Sequence, residues 1–378
     1  MRNRSRSDAG PIIGALLVGL LLAAAPARAE ETPAPEAGSG GYEFGRGLRL
    51  GDSGFTLGGY LTGEYRRQAP MHAQLRASHA SVFLWWEGLE RFKVFGELDL
   101  ENLLARHRDA YDNDGDADRR ASLERLYLDW AVHDRVTLRV GKFLTPIGRW
   151  NLVHADPLVW TTSRPLLTQS AFPHNATGLM ATGTLPADAY SVSYSFYASN
   201  GAEWAVDDRQ DPFSTVRGGR LVLPVGTDWQ LGASYARYQQ QGSRGEPRTL
   251  TGLDLLWTHQ GYELMAEWLR TSSDQPGPAV RPEPDEGYGP GSRGLARSVP
   301  THGLYVQGVA PIAGALYAVA RVEWFRDTWT TGTQRQSTLG LAWRPHPALS
   351  LKLEVQHPGS VNGPNRANTW LASACILF

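Results

Sequence analysis

Sixteen stretches, each alternating apolar with polar side chains, follow one another from residue 54 to the last residue of the chain. They are expected over 54–66, 74–86, 91–102, 121–132, 136–144, 176–185, 189–199, 216–225, 229–240, 249–259, 262–272, 302–311, 315–327, 336–345, 349–357 and 369–378. A period of two is the mark of a strand with two unlike faces. In 91–102, Phe92, Val94, Leu98 and Leu100 share one face, and Lys93, Glu97, Asp99 and Glu101 share the other. In 349–357, Leu349, Leu351, Leu353 and Val355 oppose Lys352, Glu354 and Gln356.

The connections constrain the fold further. Short turns include His133-Asp134-Arg135, Pro186-Ala187-Asp188, Gly226-Thr227-Asp228, Gln260-Gly261 and His346-Pro347-Ala348. They alternate with long loops over 103–120, 145–175, 200–215, 273–301 and 358–368. A soluble sandwich has no reason to keep that order. A transmembrane antiparallel up-and-down β-barrel does, with short periplasmic turns and long external loops. The expected fold class is therefore all-β, a barrel of sixteen strands with both ends on the short-turn side. Trp86, Trp130, Trp229, Trp257, Trp268, Trp324, Trp343 and Trp370 fall on expected outward faces, several near strand ends. Interfacial aromatic belts lie there.

Composition agrees. A negative mean hydropathy of −0.34 rules out a helical membrane protein but not a barrel, whose strands are apolar on one face only. The single cysteine, Cys375, leaves no intrachain disulfide and no cysteine-based metal site. A net charge of −1 argues against a nucleic-acid partner.

The first residues read as an address. Arg2, Arg4 and Arg6 precede an apolar run from Ile12 to Ala25, and Ala27-Arg28-Ala29 has the form of a signal-peptidase site. The run is shorter than the ~20 residues that span a bilayer. The expected organisation is a signal peptide over 1–29, cut near Ala29, a flexible periplasmic leader over 30–53, and the barrel over 54–378. Within the leader, 42–52 is expected to lie in the periplasmic mouth.

One segment points to a family. Residues 139–180 carry a strand ending in Gly141-Lys142-Phe143, then Thr145-Pro146-Ile147-Gly148, a polar loop with Thr161-Thr162-Ser163-Arg164-Pro165, and Thr177-Gly178 opening the next strand. The order and spacing resemble Gram-negative outer-membrane porins, the broad superfamily that includes the phosphate-selective porins. The resemblance implies a passive diffusion channel for small hydrophilic solutes or ions, in the outer membrane and its lipids, usually a homotrimer, with no cofactor. It implies that loop 145–175 folds inward and sets the constriction with Arg149, His154, Asp156, Arg164 and His174. It also implies that Phe378, closing the last strand, is an assembly signal for the outer-membrane insertion machinery.

The strand faces give the pore wall. Lys93, Glu97, Asp99, Glu101, Arg125, Asp129 and Arg139 are expected to line it. Across the whole barrel the inward acids are Glu64, Glu97, Asp99, Glu101, Asp129, Asp254, Glu263, Glu267, Glu323 and Glu354, against Lys93, Arg125, Arg139, Arg220, Arg321 and Lys352. That acidic excess departs from the Arg- and Lys-rich pores of phosphate-selective members, so phosphate selectivity is not carried over. A slight lean towards cations or neutral solutes is expected, opposed by Arg149 and Arg164.

Other constellations are weaker. Asp112-Asn113-Asp114-Gly115-Asp116-Ala117-Asp118 has the carboxylate density of a calcium loop, but Ala117 stands where a glycine is needed. A solvated external loop is the expectation, with no metal site. A barrel enzyme of the lipid-hydrolase type would need a placed nucleophile and base, and no Gly-x-Ser-x-Gly or His-Glu-x-x-His motif occurs. A soluble periplasmic β-rich binding protein leaves the loop asymmetry unexplained.

Overall fold

The computed structural model describes residues 41–68, 73–106, 120–187, 190–204, 212–241, 246–273, 301–326, 333–359 and 367–378. The expected signal peptide and cleavage site, residues 30–40 of the leader and the acidic run 112–118 lie outside the described residues.

Two short strands come first, β1 (Tyr42–Glu43) and β2 (Gly47–Arg49). The wall follows as β3 (Phe55–Gln68), β4 (Gln74–Leu89), β5 (Phe92–Arg106), β6 (Arg120–His133), β7 (Val136–Leu144), β8 (Asn175–Ala187), β9 (Tyr190–Ser199) and β10 (Phe213–Val225). It continues as β11 (Trp229–Gln240), β12 (Arg248–His259), β13 (Tyr262–Ser273), β14 (His302–Ala313), β15 (Leu316–Arg326), β16 (Gln334–His346), β17 (Leu349–Pro358) and β18 (Thr369–Leu377). Each wall strand pairs antiparallel with its sequence neighbours, and β18 pairs back onto β3, from Thr369↔Gln68 to Leu377↔Tyr60. The result is a closed sixteen-stranded barrel with no open edge. The ring is sealed beyond β18 by two backbone bonds, Phe378 N to Gly59 O at 2.9 Å and Gly59 N to Phe378 O at 3.0 Å.

The β1–β2 hairpin does not enlarge the ring. β2 pairs with Leu57 and Thr56, on the β3 edge just past the end of β18. The Phe44 ring lies 5.0 Å from that of His346, in the β16–β17 turn, which puts the hairpin at the short-turn mouth.

The two faces are inverted relative to a water-soluble protein. Leu179 and Leu339 are 64% and 63% exposed, whereas Arg321 and Glu97 are 1% and 2% exposed. Large apolar side chains stand outside, where a barrel meets lipid, and charged ones point inward. All eight tryptophans expected outside share faces with such residues; Trp229 pairs with Trp257, and Trp268 with Leu253.

Alternation breaks at bulges. β5 pairs Glu97 with Arg125 but Leu98 with Leu123, so Glu124 is an extra residue in β6. A bulge of this kind turns two successive side chains to one face. Glu124 and Arg125 therefore both point inward. A similar shift at Ser78 sets His79 opposite Glu101.

Candidate functional site

The segment between β7 and β8, residues 145–174, is closed at its base. Thr145 N donates to His174 O at 2.8 Å, and Asn151 Nδ2 donates to both Thr145 O and His174 O, at 2.9 and 3.0 Å. From that clasp the chain runs past side chains from opposite sides of the ring. A segment can touch them all only from within the barrel.

The first contact is with β10 to β13. Gly148 N donates to Ser234 Oγ at 3.2 Å, and Arg220 Nη1 donates to Gly148 O at 2.8 Å. Gly148 has φ +64°, a left-handed conformation that glycine adopts freely, and a Cβ there would overlap the Glu267 carboxylate. Glu267 Oε1 accepts the backbone N–H groups of Arg149 and Trp150, at 2.9 and 2.6 Å. A typical hydrogen bond contributes about 0.5–1.5 kcal/mol, and this side chain accepts two from the loop backbone, so it is a principal tether.

The second contact is with β15 to β18. Arg321 spreads its guanidinium over the loop, donating to Thr161 Oγ1 and Ser163 Oγ, both at 2.8 Å, and to its own partner Glu323 at 2.7 Å. The fork geometry of arginine suits such multiple donation. Glu354 accepts Thr162 N and Ser163 N at 2.9 and 3.0 Å. Glu323 Oε2 accepts Leu166 N at 2.6 Å, at the start of the short helix α1 (Leu166–Ser170). Lys352 Nζ donates to Asp156 O and Thr161 O. Arg344 Nη2 reaches Leu158 O and Val159 O at 3.0 and 2.7 Å while its guanidinium sits 3.8 Å from the Trp160 ring.

The third contact is with β4 and β6. Asp156 Oδ2 lies 3.4 Å from His79 Nδ1, whose Nε2 lies 2.8 Å from Glu101. Burial would raise the Asp156 carboxyl, but the bond and charge of His79 outweigh it and hold it well below the usual carboxylate range. His154 stacks no charge of its own against Glu124, 3.7 Å away. Burial, with Arg164 and Arg125 nearby, pushes its protonation well below the usual imidazole range, so the ring stays neutral. Between loop and wall lies an apolar cluster, with Phe143, Ile147, Trp150, Leu167 and Phe172 packed on Tyr238, Leu250, Leu269 and Phe325.

The expected site residues thus divide. His154 and His174 hold the loop: the latter's Nε2 contacts Thr168 O at 2.5 Å. Arg149 is held, with Nη2 donating to Gln230 at 2.6 Å and Nε 3.9 Å from Asp254. Arg164 is part-exposed and its guanidinium makes no ion pair among the described residues. On the wall, Glu97 pairs with Arg125 and Asp129 with Arg139. Asp99 and Glu101 flank His79. Lys93 is well exposed and pairs with Glu87 at 2.6 Å beside the β4–β5 turn, away from the loop.

The acidic excess counted from the sequence is largely spent on tethers. Glu64 faces Arg76 at 2.9 Å, Asp254 faces Arg220 at 2.5 Å, and Glu267, Glu323 and Glu354 accept loop N–H groups. A passing ion meets fewer free carboxylates than the strand faces hold. His79, Glu124 and Arg344 also face the loop, beyond the residues expected there. Arg344 shares the inward parity of Thr338 and Ala342 and was legible; His79 and Glu124 sit at bulges and were not.

Beside α1 a polar cavity of about 300 Å³ remains between the loop and β3, β4, β16, β17 and β18. Glu64, Arg66, Arg76, Thr162, Ser163 and Gln336 line it. Hydroxyl, amide and ionic groups there can exchange hydrogen bonds with a hydrated solute.

No protein-family profile matches this sequence, and no curated protein matches it either. Solved structures do. Salmonella typhi OmpF, in complex with daunomycin, superposes with a TM-score of 0.58 at 10% identity, over 86% of this chain and 98% of its own. The anion-selective porin from Comamonas acidovorans gives 0.56 at 13%, over 86% and 99%. In-vitro folded OmpT, an outer membrane protein of Vibrio cholerae in a trimer form, gives 0.54 at 11%, over 86% and 99%. The described barrel therefore has the fold of the sixteen-stranded outer-membrane porins.

Proposed function

We propose that this protein is an outer-membrane porin, a passive diffusion channel for small hydrophilic solutes or ions, exported by residues 1–29 and assembled as a homotrimer. The observation that carries this reading is the interior: a closed barrel whose inner face is charged and which holds a tethered loop beside a polar cavity. Transport of this kind involves no bond making or breaking. Solutes that fit pass down their gradient, and wall charge biases which ions enter. The trimer is supported by the neighbour described as one, and native mass spectrometry in detergent tests it.

Reconstitution in a planar bilayer tests the channel. Stepwise conductance from pure folded protein is expected, and its absence at any protein concentration would sink the reading. Slower migration after boiling than before, on the same gel, is the expected signature of an intact barrel.

Phe378→Ala separates assembly from stability. The ring is 38% exposed, and the backbone bonds to Gly59 do not depend on it. Thermal unfolding of refolded protein should move little, while outer-membrane levels fall severely because the ring is the assembly signal. Normal surface levels would remove that role.

A further inference from the structure

Arg217 of β10 and Arg237 of β11 are direct partners across the ladder, and both are exposed. Each is flanked in its strand by inward, buried residues, Val216 on one side and Ala236 and Tyr238 on the other. Both guanidiniums therefore point out of the barrel, side by side. Like charges directly opposite destabilise a ladder. Further outward cations lie two strands on, with a histidine between them. Thr251, Arg270, His302 and Arg326 form one continuous row across β12, β13, β14 and β15. Arg270 and Arg326 are exposed, and Leu269, Thr271 and Phe325 beside them are buried inward. Among the described residues, Arg217, Arg270 and Arg326 make no ion pair, and no outward position of β10–β16 carries Asp or Glu.

The next outward row towards the short turns is apolar and aromatic: Leu253, Trp268, Leu304 and Trp324, in register. Two residues along a strand place it about 6.6 Å from the cations. A cationic row at the long-loop rim thus lies directly above an interfacial tryptophan row.

We infer that this belt of outward arginines on β10–β15 binds the phosphate groups of lipids in the leaflet at the long-loop end. The inference rests on the membrane placement proposed above. Arginine forks grip phosphate with paired hydrogen bonds. A lipid places its phosphate at the level of the arginines and its acyl chains against the tryptophan row. A free anion has no use for the apolar shelf.

Native mass spectrometry of the full-length folded protein in micelles tests this, with phosphatidic acid and phosphatidylcholine of identical chains as probes. Wild type is expected to prefer phosphatidic acid about tenfold. Arg270→Gln with Arg326→Gln should abolish most of that preference, and Arg270→Lys with Arg326→Lys should keep part of it. Arg217→Gln with Arg237→Gln is the companion if the first glutamine pair does not fold. Single-channel conductance should be unchanged in all of them, since the belt lies outside the lumen. Equal lipid preference in wild type and both glutamine pairs overturns the inference. Displacement of phosphatidic acid by equimolar inorganic phosphate overturns it in favour of a free-anion site. An altered subunit count with unchanged lipid preference overturns it in favour of contact between copies. If wild type selects phosphatidic acid but forms no channel, the porin reading fails and the lipid belt stands.

Discussion

Replacing residues 147–172 by a short glycine–serine bridge is expected to raise single-channel conductance roughly threefold or more, since a sixteen-stranded barrel without an occupied lumen is an open aqueous channel. The bridge is geometrically simple because Thr145 and His174 are already hydrogen-bonded at the loop base. Removing the loop frees Glu267, Glu323, Glu354 and Arg321 from their partners there. They would not be left buried and unsatisfied, because water replaces the loop. The wall ladder is independent of the segment, so the barrel should remain closed. Its thermal midpoint should nevertheless fall, because Ile147, Trp150, Leu167 and Phe172 leave the apolar cluster. Planar-bilayer recordings of the variant decide the matter. Unchanged conductance would mean that the loop does not limit the passage.

The wall was legible because lipid outside and water or polar loop inside impose opposite demands on successive side chains. That demand runs strongly through β5 and β17, where Leu98 and Leu353 are exposed and Glu97 and Glu354 are buried. Turn chemistry fixed the strand order, since a two-residue link such as Gln260-Gly261 leaves only an antiparallel neighbour; Gln260 even takes φ 47° to make it. The loop was harder. Its place could be inferred only from resemblance, because Glu267 reaching Trp150 spans more than a hundred residues and leaves no local pattern. Bulges hid more: parity puts Glu124 and Arg125 on opposite faces, and the extra residue turns both inward. Counting charges by face also could not tell a free carboxylate from one committed to an arginine or a backbone N–H. Asp254 and Glu354 are both of the second kind.

Arg164→Ala should shift the cation-to-anion permeability ratio about fourfold towards cations at low salt, and Arg149→Ala should shift it little. A unit charge about 10 Å from a passing ion in water is worth roughly 0.4 kcal/mol, about twofold against a cation and about twofold in favour of an anion, so about fourfold in their ratio. The sequence places both arginines on the inward loop, but their surroundings differ. Arg149 sits against Gln230 with Arg220 near, but the carboxylates of Asp254, Glu267 and Glu263 surround it and offset much of its field where it arises. Arg164 follows Ser163, which lines the polar cavity, and it makes no ion pair among the described residues, although its charge also reaches Asp156. Reversal potentials across a salt gradient measure the ratio directly. The Arg164 effect should fade towards 1 M salt, where the Debye length falls to about 3 Å. An equal shift from Arg149→Ala would show that paired tethers still shape the pore field. No shift from either variant would show that ions cross the barrel without passing residue 164.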